Sequence, residues 1–167
     1  MHKQVLSEQA IYSGEVNMPK GWDIDRNKLT TDILQSVLQN KDFPFSKAFD
    51  ILNTYIREHI NVNYGFTLIN KNICGYIFKP QEISEPIFDT NPVDLRNSSD
   101  YTFLYGVNVE DCYVRIHYDD NRRKGRSWDI PLKNNHFLIF PSTNMYYISN
   151  KQKDKLNFIK KITYEYI

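Results

Sequence analysis

Two stretches near the start of the chain carry the hydrophobic spacing of amphipathic helices. In the first stretch, five apolar residues fall on one helical stripe: Leu29, Ile33, Leu34, Val37 and Leu38. In the second, the apolar face consists of Phe49, Leu52, Ile56 and Ile60. Ser46 is a good N-cap for the second helix, and Gly65 lies beyond its C-terminal end. The pattern therefore predicts two helices that pack on a core, preceded by a short strand within residues 10–18.

After Gly65, the hydrophobic period changes to the alternation that is typical of strands. The predicted strands cover residues 66–69, 73–78, 101–109, 113–118, 127–132, 136–140, 145–148 and 157–167. Residues 70–72 separate the first two strands and predict a hairpin turn, whereas the proline-containing residues 79–99 are expected to form a long irregular connection. Short strands at this spacing, after two helices, predict an α+β fold in which the helices pack outside a β-sandwich or barrel.

The composition fits one globular domain, in which residues 1–65 supply a strand and two helices and residues 66–167 supply a β-rich core. A chain of 167 residues with 41% hydrophobic content can bury such a core. No apolar run approaches membrane-spanning length, so we expect a soluble protein without a membrane partner. The net charge of +1 argues against general nucleic-acid binding. Cys74 and Cys112 lack CxxC spacing and are expected to be buried thiols.

One triplet has the spacing of metal ligands. His117 and Asp119 are two residues apart on a predicted strand, so their side chains point to the same face. His136, on a nearby predicted strand, would complete a set of two imidazoles and one carboxylate, which suits non-haem iron. The alternative is that Asp119 caps the following turn, that His117 packs at the surface and that His136 only begins a strand. The HxD spacing often occurs by chance, which favours this second interpretation.

A compact cationic loop follows the HxD triplet. Arg122, Arg123, Lys124 and Arg126 surround Gly125, and the planar forks of arginine bind phosphates or a partner's carboxylates. Alternatively, the loop pairs with the aspartates that flank it in the sequence. The chain contains no phosphate-binding glycine loop, nucleophile elbow or RNA-binding aromatic signature. We therefore expect a protein partner for this loop and do not expect a nucleic-acid partner.

Four segments of the back half follow one another in a distinctive order. YTFLYGVNV at 101–109 is followed by YVRIHYDD at 113–120, SWDIPL at 127–132 and FLIFPS at 137–142. In this order, and in its Phe-Pro-Ser turn, the chain resembles the iron(II)/2-oxoglutarate-dependent oxygenases over roughly residues 90–167. The resemblance implies an α+β fold with a double-stranded β-helix, or jelly roll, and with two N-terminal helices packed outside it.

The resemblance also indicates where the functional residues of such a family would fall. Its HxD pair would lie around residues 91–99, where this chain has no histidine, and its distal histidine would fall at residues 144–146, which are Asn, Met and Tyr. The arginine that binds 2-oxoglutarate would begin the last strand, where Lys160 and Lys161 are the available cations. His117 falls on a later strand than the family's first ligand. We therefore expect the family's metal ligands to be degenerate here.

Two hypotheses follow, and they belong to different functional classes. In the first, the chain is an oxygenase-like jelly roll with an incomplete metal site and no cofactor, and it acts as a binding or assembly protein. Its contact surfaces would be the basic loop and the aromatic residues Tyr146 and Tyr147, with homo-oligomer formation left open. The second hypothesis is an active iron(II)/2-oxoglutarate hydroxylase whose atypical site would use these residues: His117, Asp119 and His136 for iron, and Lys160 or Lys161 for 2-oxoglutarate.

A third hypothesis, ranked below these two, is a phosphate or nucleic-acid binder that uses the basic loop. The chain is rich in Asn, Lys, Ile and Tyr, from which we expect a viral origin. The expected location is the cytoplasm or the interior of a virion.

Overall fold

The computed structural model describes residues 1–4, 9–42, 46–119 and 125–167, with Asp119 described by its backbone alone. The helices are α1 (Arg26–Gln39) and α2 (Lys47–Tyr64), and a short 3-10 helix lies at Leu95–Asn97. The strands are β1 (Tyr12–Glu15), β2 (Leu68–Phe78), β3 (Tyr101–Asn108), β4 (Cys112–Asp119), β5 (Gly125–Leu132), β6 (His136–Pro141), β7 (Tyr146–Asn150) and β8 (Asn157–Tyr166). Neither helix in the described part of the chain combines the length and apolarity that a membrane span requires.

The strands form two antiparallel sheets that face each other. The five-stranded sheet has the order β1-β6-β3-β8-β2, and the three-stranded sheet has the order β5-β4-β7. Bridges from Ile83 to Ser149 and from Ile87 to Tyr146 lay the connection after β2 beside β7. One buried cluster combines Leu104 and Ile159 of the larger sheet with residues of the smaller sheet, so it fills the space between the two. We call this space the interior of the roll.

The helices cover the opposite face of the five-stranded sheet. Phe49, Leu52, Ile56 and Ile60 of α2 belong to a second buried cluster, together with residues from β3, β6 and β8. The prediction of an α+β fold with two helices outside the sheets is therefore confirmed. Helix α2 begins after Ser46, whose side chain accepts a hydrogen bond from the Phe49 backbone N–H.

Two details of the predicted elements are wrong. Residues 70–72 do not form a hairpin turn, because β2 is one continuous strand paired with β8 along its length, with a bulge between Asn70 and Asn72. The bulge lets the Asn72 backbone N–H bond to the hydroxyl of Thr163, which keeps the polar segment within the strand. In α1, the buried residues extend no further than Ile33, and Val37 and Leu38 are exposed by 43% and 76%.

Candidate functional site

A buried carboxylate lies inside the roll, just after the point where residues 83–87 run beside β7. The side chain of Asp89 is only 5% exposed, and its Oδ1 lies 2.5 Å from the Nζ of Lys161. Its Oδ2 accepts hydrogen bonds from the hydroxyls of Thr102, at 2.7 Å, and Tyr146, at 2.9 Å. The Thr102 hydroxyl also lies 2.9 Å from that of Ser142. Both oxygens of the carboxylate are therefore occupied by side chains of this protein.

Strand alternation explains why these side chains meet. Along β8, Ile159 belongs to the cluster inside the roll and Ile162 to the cluster under the helices, so Lys161 points into the roll and Lys160 points away from it. Lys161 lies opposite Cys74 on β2 and Leu104 on β3, because β8 runs between these two strands. The Lys161 side chain is only 10% exposed. Neighbouring strands on both sides therefore hold its ammonium against Asp89.

The protonation states in this cluster follow from burial and charge. Burial by itself lowers the pKa of the Lys161 ammonium, but Cys74, Tyr76 and the hydrogen-bonded Asp89 carboxylate together raise it above its ordinary value. Burial, reinforced by the negative charge of Asp89, raises the pKa of the Tyr146 hydroxyl well above its ordinary value. At neutral pH, Lys161 is therefore a cation and Tyr146 is a neutral hydrogen-bond donor to Asp89.

The two cations named for co-substrate binding have different surroundings. Lys161 belongs to the cluster around Asp89, whereas Lys160 is fully buried on the helix side of the sheet, with its Nζ 5.1 Å from the centre of the Phe49 ring. Burial lowers the pKa of Lys160 to about 6. No part of the structure tests whether either lysine binds 2-oxoglutarate, so that role stays a prediction.

The structure does not bring the two predicted histidine ligands together. His117 lies on β4 and points away from the interior of the roll, because its neighbour Ile116 is buried inside. His136 begins β6 in the other sheet, and its Nδ1 lies 2.9 Å from the carbonyl oxygen of Asn134. The side chain of Asp119 lies outside the described part of the structure. The iron site built from these three residues therefore stays a prediction.

The predicted basic loop falls mostly outside the described residues. Arg122, Arg123 and Lys124 are not among them, whereas Arg126 is exposed on β5 opposite Tyr118. The use of this loop for partner binding stays a prediction.

Solved structures with the same arrangement of helices and sheets identify the architecture. A prolyl-4-hydroxylase from Pseudomonas putida superposes with a TM-score of 0.63 at 11% identity, covering 94% of this chain and 92% of its own. The chain has the fold of the iron(II)/2-oxoglutarate-dependent oxygenases. The oxygenase fold covers nearly the whole chain, and not only residues 90–167, on which the resemblance in sequence rests. No family model matches the sequence, and no curated protein matches it either.

Two further oxygenase structures agree with this assignment of the fold. The non-haem α-ketoglutarate-dependent epimerase SnoN, from nogalamycin biosynthesis, has a TM-score of 0.66 at 9% identity, covering 93% of this chain and 77% of its own. The viral collagen prolyl hydroxylase of Paramecium bursaria Chlorella virus-1 has a TM-score of 0.64 at 12% identity, covering 92% and 94%. At these identities, the similarity establishes the oxygenase fold and leaves the chemistry to be argued from the residues.

The residues that the structure describes inside the roll do not fit an iron ion. Among the described residues, no group of three or more His, Cys, Asp or Glu side chains is placed to hold a metal. Asp89 has both oxygens engaged, and the cation beside it is the ammonium of Lys161. Iron in such sites needs two imidazoles and a carboxylate with open positions. The Asp89 cluster instead offers an amine, hydroxyls and a carboxylate that is already neutralised.

Sequence reasoning singled out two members of this cluster and missed the others. The prediction that Tyr146 forms a contact surface is wrong, because β7 turns its side chain into the roll, where it is fully buried. Tyr146 and Lys161 stand at positions that the family resemblance singled out. Asp89 lies two residues before the segment 91–99 in which the first ligands were expected, and Thr102 had not been considered. The available signal was the acidic residue directly after the short apolar pair at 87–88.

Proposed function

We propose that this protein is an oxygenase-like jelly roll in which a lysine–aspartate pair takes the place of an iron site, and that it functions by binding or assembly. The observation that supports the proposal most strongly is the ion pair between Lys161 and Asp89 inside the roll. The ammonium already neutralises the carboxylate on which a metal would depend.

The ammonium removes the electrostatic attraction that a metal would otherwise find here. At an effective dielectric constant of 20, two unit charges 4 Å apart interact by about 4 kcal/mol, so the repulsion of about 8 kcal/mol between a divalent cation and the ammonium cancels a similar attraction to the Asp89 carboxylate. The metal would also have to displace the hydroxyls of Tyr146 and Thr102 from the carboxylate. Lys161, which the family resemblance suggested for the co-substrate, is thus engaged in the site itself.

The proposed binding role would use residues on the surface of the molecule. The basic loop at residues 122–126 contains three arginines in its sequence, and their planar forks suit carboxylates of a protein partner. Tyr147 lies on the outer side of the small sheet and adds an aromatic contact. A viral origin, and a location in the cytoplasm or a virion, belong to the same proposal.

Thermal unfolding with added ligands tests the absence of an iron site. Purified protein would be melted alone, with Mn²⁺, with 2-oxoglutarate, and with both together. We expect the four melting temperatures to coincide. A ligand present at 100 times its Kd stabilises the native state by about 2.7 kcal/mol, which raises the melting temperature of a chain of this size by roughly 5–10 °C. The Pseudomonas putida prolyl-4-hydroxylase serves as the control expected to respond.

The second candidate function is an active hydroxylase with an atypical site, and the oxygenase fold of the chain favours it. As the sequence suggests, its iron would be held by His117, Asp119 and His136, with 2-oxoglutarate on Lys160 or Lys161. Such a site would require His117 and His136, which lie in different sheets, to approach each other. Succinate release from 2-oxoglutarate, measured with ferrous iron under air, separates the two functions. We expect no release above the protein-free control, whereas turnover that disappears in His117→Ala would establish the hydroxylase.

A further inference from the structure

The three-stranded sheet carries a cleft on its outer face, on the other side of the sheet from the Asp89 cluster. The cleft has a volume of about 620 Å³, which lies within the range of about 300–1,000 Å³ for small-molecule sites. Six of its lining side chains carry the chemistry: Tyr113, Arg115, His117, Asp129, Tyr147 and Lys151. They come from three neighbouring strands and from the residue that follows β7, so the sheet itself fixes their spacing.

The charges in the cleft leave an excess of positive charge. Arg115 donates two hydrogen bonds to the carboxylate of Asp129, each 2.7 Å long. These bonds hold the pKa of Asp129 below its ordinary value, and the charge of Lys151 acts in the same direction. Two permanent cations, Arg115 and Lys151, thus face one carboxylate. A ligand with a negative charge would neutralise the excess positive charge.

The imidazole of His117 also favours a ligand that carries hydrogen-bond acceptors. Its Nε2 is shielded from solvent and makes no hydrogen bond to any described residue. The ring itself packs edge-on against Tyr147, with the ring centres 5.4 Å apart. Leaving a buried polar group unsatisfied costs about 1–3 kcal/mol, and an acceptor atom from a ligand would remove this cost once the ring turns so that its Nε2–H faces the cleft.

Aromatic rings form the remaining wall of the cleft. The Nζ of Lys151 lies 4.0 Å from the centre of the Tyr113 ring, so the ammonium is held in place over an aromatic face. Tyr113 and His117 are four residues apart on one strand, which separates them by about 13 Å. A flat molecule of this length can lie along β4 between the side chains of Tyr113 and His117, with Tyr147 opposite Arg115 in the middle of that span.

We propose that this cleft binds a small molecule that has a planar body and carries a carboxylate or phosphate group. The site is independent of the Asp89 cluster in the interior of the roll. It also gives a use to His117, which the sequence singles out and the Asp89 cluster does not include.

Matched pairs of charged and neutral probes test the proposal on the full chain. Amide chemical shifts would be followed by NMR while benzoate, benzamide, adenosine monophosphate, adenosine and inorganic phosphate are titrated separately. We expect benzoate or adenosine monophosphate to shift resonances of β4 and β7, and to bind at least about tenfold more tightly than its neutral counterpart. The two charged probes distinguish a carboxylate ligand from a phosphate ligand.

Three variants locate the binding. Lys151→Gln and His117→Gln should each lower the affinity for the charged probe by about tenfold. Lys153→Gln removes the same charge from an exposed residue outside the cleft and should leave affinity within about twofold. Far-UV circular dichroism and melting temperature check that each variant is folded.

Several results would overturn the proposal. These are equal binding of charged and neutral probes, equal weakening by Lys151→Gln and Lys153→Gln, or no binding of any small probe. Binding of an acidic peptide without any binding of the small probes would likewise replace a ligand site with a protein-docking surface.

Discussion

Removing the ammonium of Lys161 should destabilise the protein strongly. The Lys161 and Asp89 side chains are only 10% and 5% exposed, so Lys161→Met leaves a carboxylate buried without its cation. Breaking one side of a buried ion pair costs about 3–5 kcal/mol. Tyr146 and Thr102 continue to donate hydrogen bonds to Asp89, which places the expected loss near the lower end, at about 3 kcal/mol. Urea unfolding at pH 7, followed by far-UV circular dichroism, measures this loss.

A double-mutant cycle separates the ion pair from the other contacts of the two residues. Asp89→Asn keeps an acceptor for Tyr146 and Thr102 and removes only the charge. The combined variant Lys161→Met/Asp89→Asn carries neither buried charge, so it should be more stable than the sum of the single losses predicts, by about 2 kcal/mol. The reasoning is refuted if Lys161→Met costs less than about 1 kcal/mol, or if the two losses add within about 0.5 kcal/mol. Either result would mean that water screens the pair.

Three further predictions concern the core. Burial lowers the pKa of Lys160 to about 6, so above that pH the unfolded chain binds one proton more than the folded protein does. The free energy of unfolding should therefore rise by about 2 kcal/mol from pH 6 to 8, and Lys160→Met should remove that rise from the urea midpoints. Gly106→Ala puts a Cβ 2.1 Å from the Lys133 carbonyl oxygen and should cost about 3 kcal/mol or more in the same assay; a loss under about 0.5 kcal/mol contradicts the close approach. Tyr164→Phe leaves the buried Asn53 Oδ1 without its 2.9 Å donor, and its melting curve should report a loss of about 1–2 kcal/mol.

Hydrophobic spacing predicted the fold class well, because periodicity records which faces are buried. It failed at residues 70–72, where three polar residues in a row suggested a turn. The structure keeps them within an edge strand, and a bulge accommodates them. Composition does not distinguish a turn from a bulged edge, since polar side chains reach water in both.

The Asp89 cluster was harder to predict, because its members are far apart in the chain. Lys161 lies 72 residues from Asp89, and Tyr146 lies 57 residues from it. The HxD triplet attracted attention because its spacing is local and visible. That spacing shows that His117 and Asp119 share a face of the strand, but it does not show which face, and the burial of Ile116 places His117 on the outer one.

The position of Lys161 on β8 connects the stability of the roll with its proposed lack of iron chemistry. A carboxylate buried between two sheets needs a cation nearby, and either a metal or an ammonium can supply the charge. Here the ammonium comes from a strand that is paired on both sides, so β2 and β3 fix the backbone that carries it. A substitution that frees Asp89 for a metal therefore removes the charge that stabilises the fold. For this reason, loss of stability should precede any gain of metal affinity in variants at Lys161.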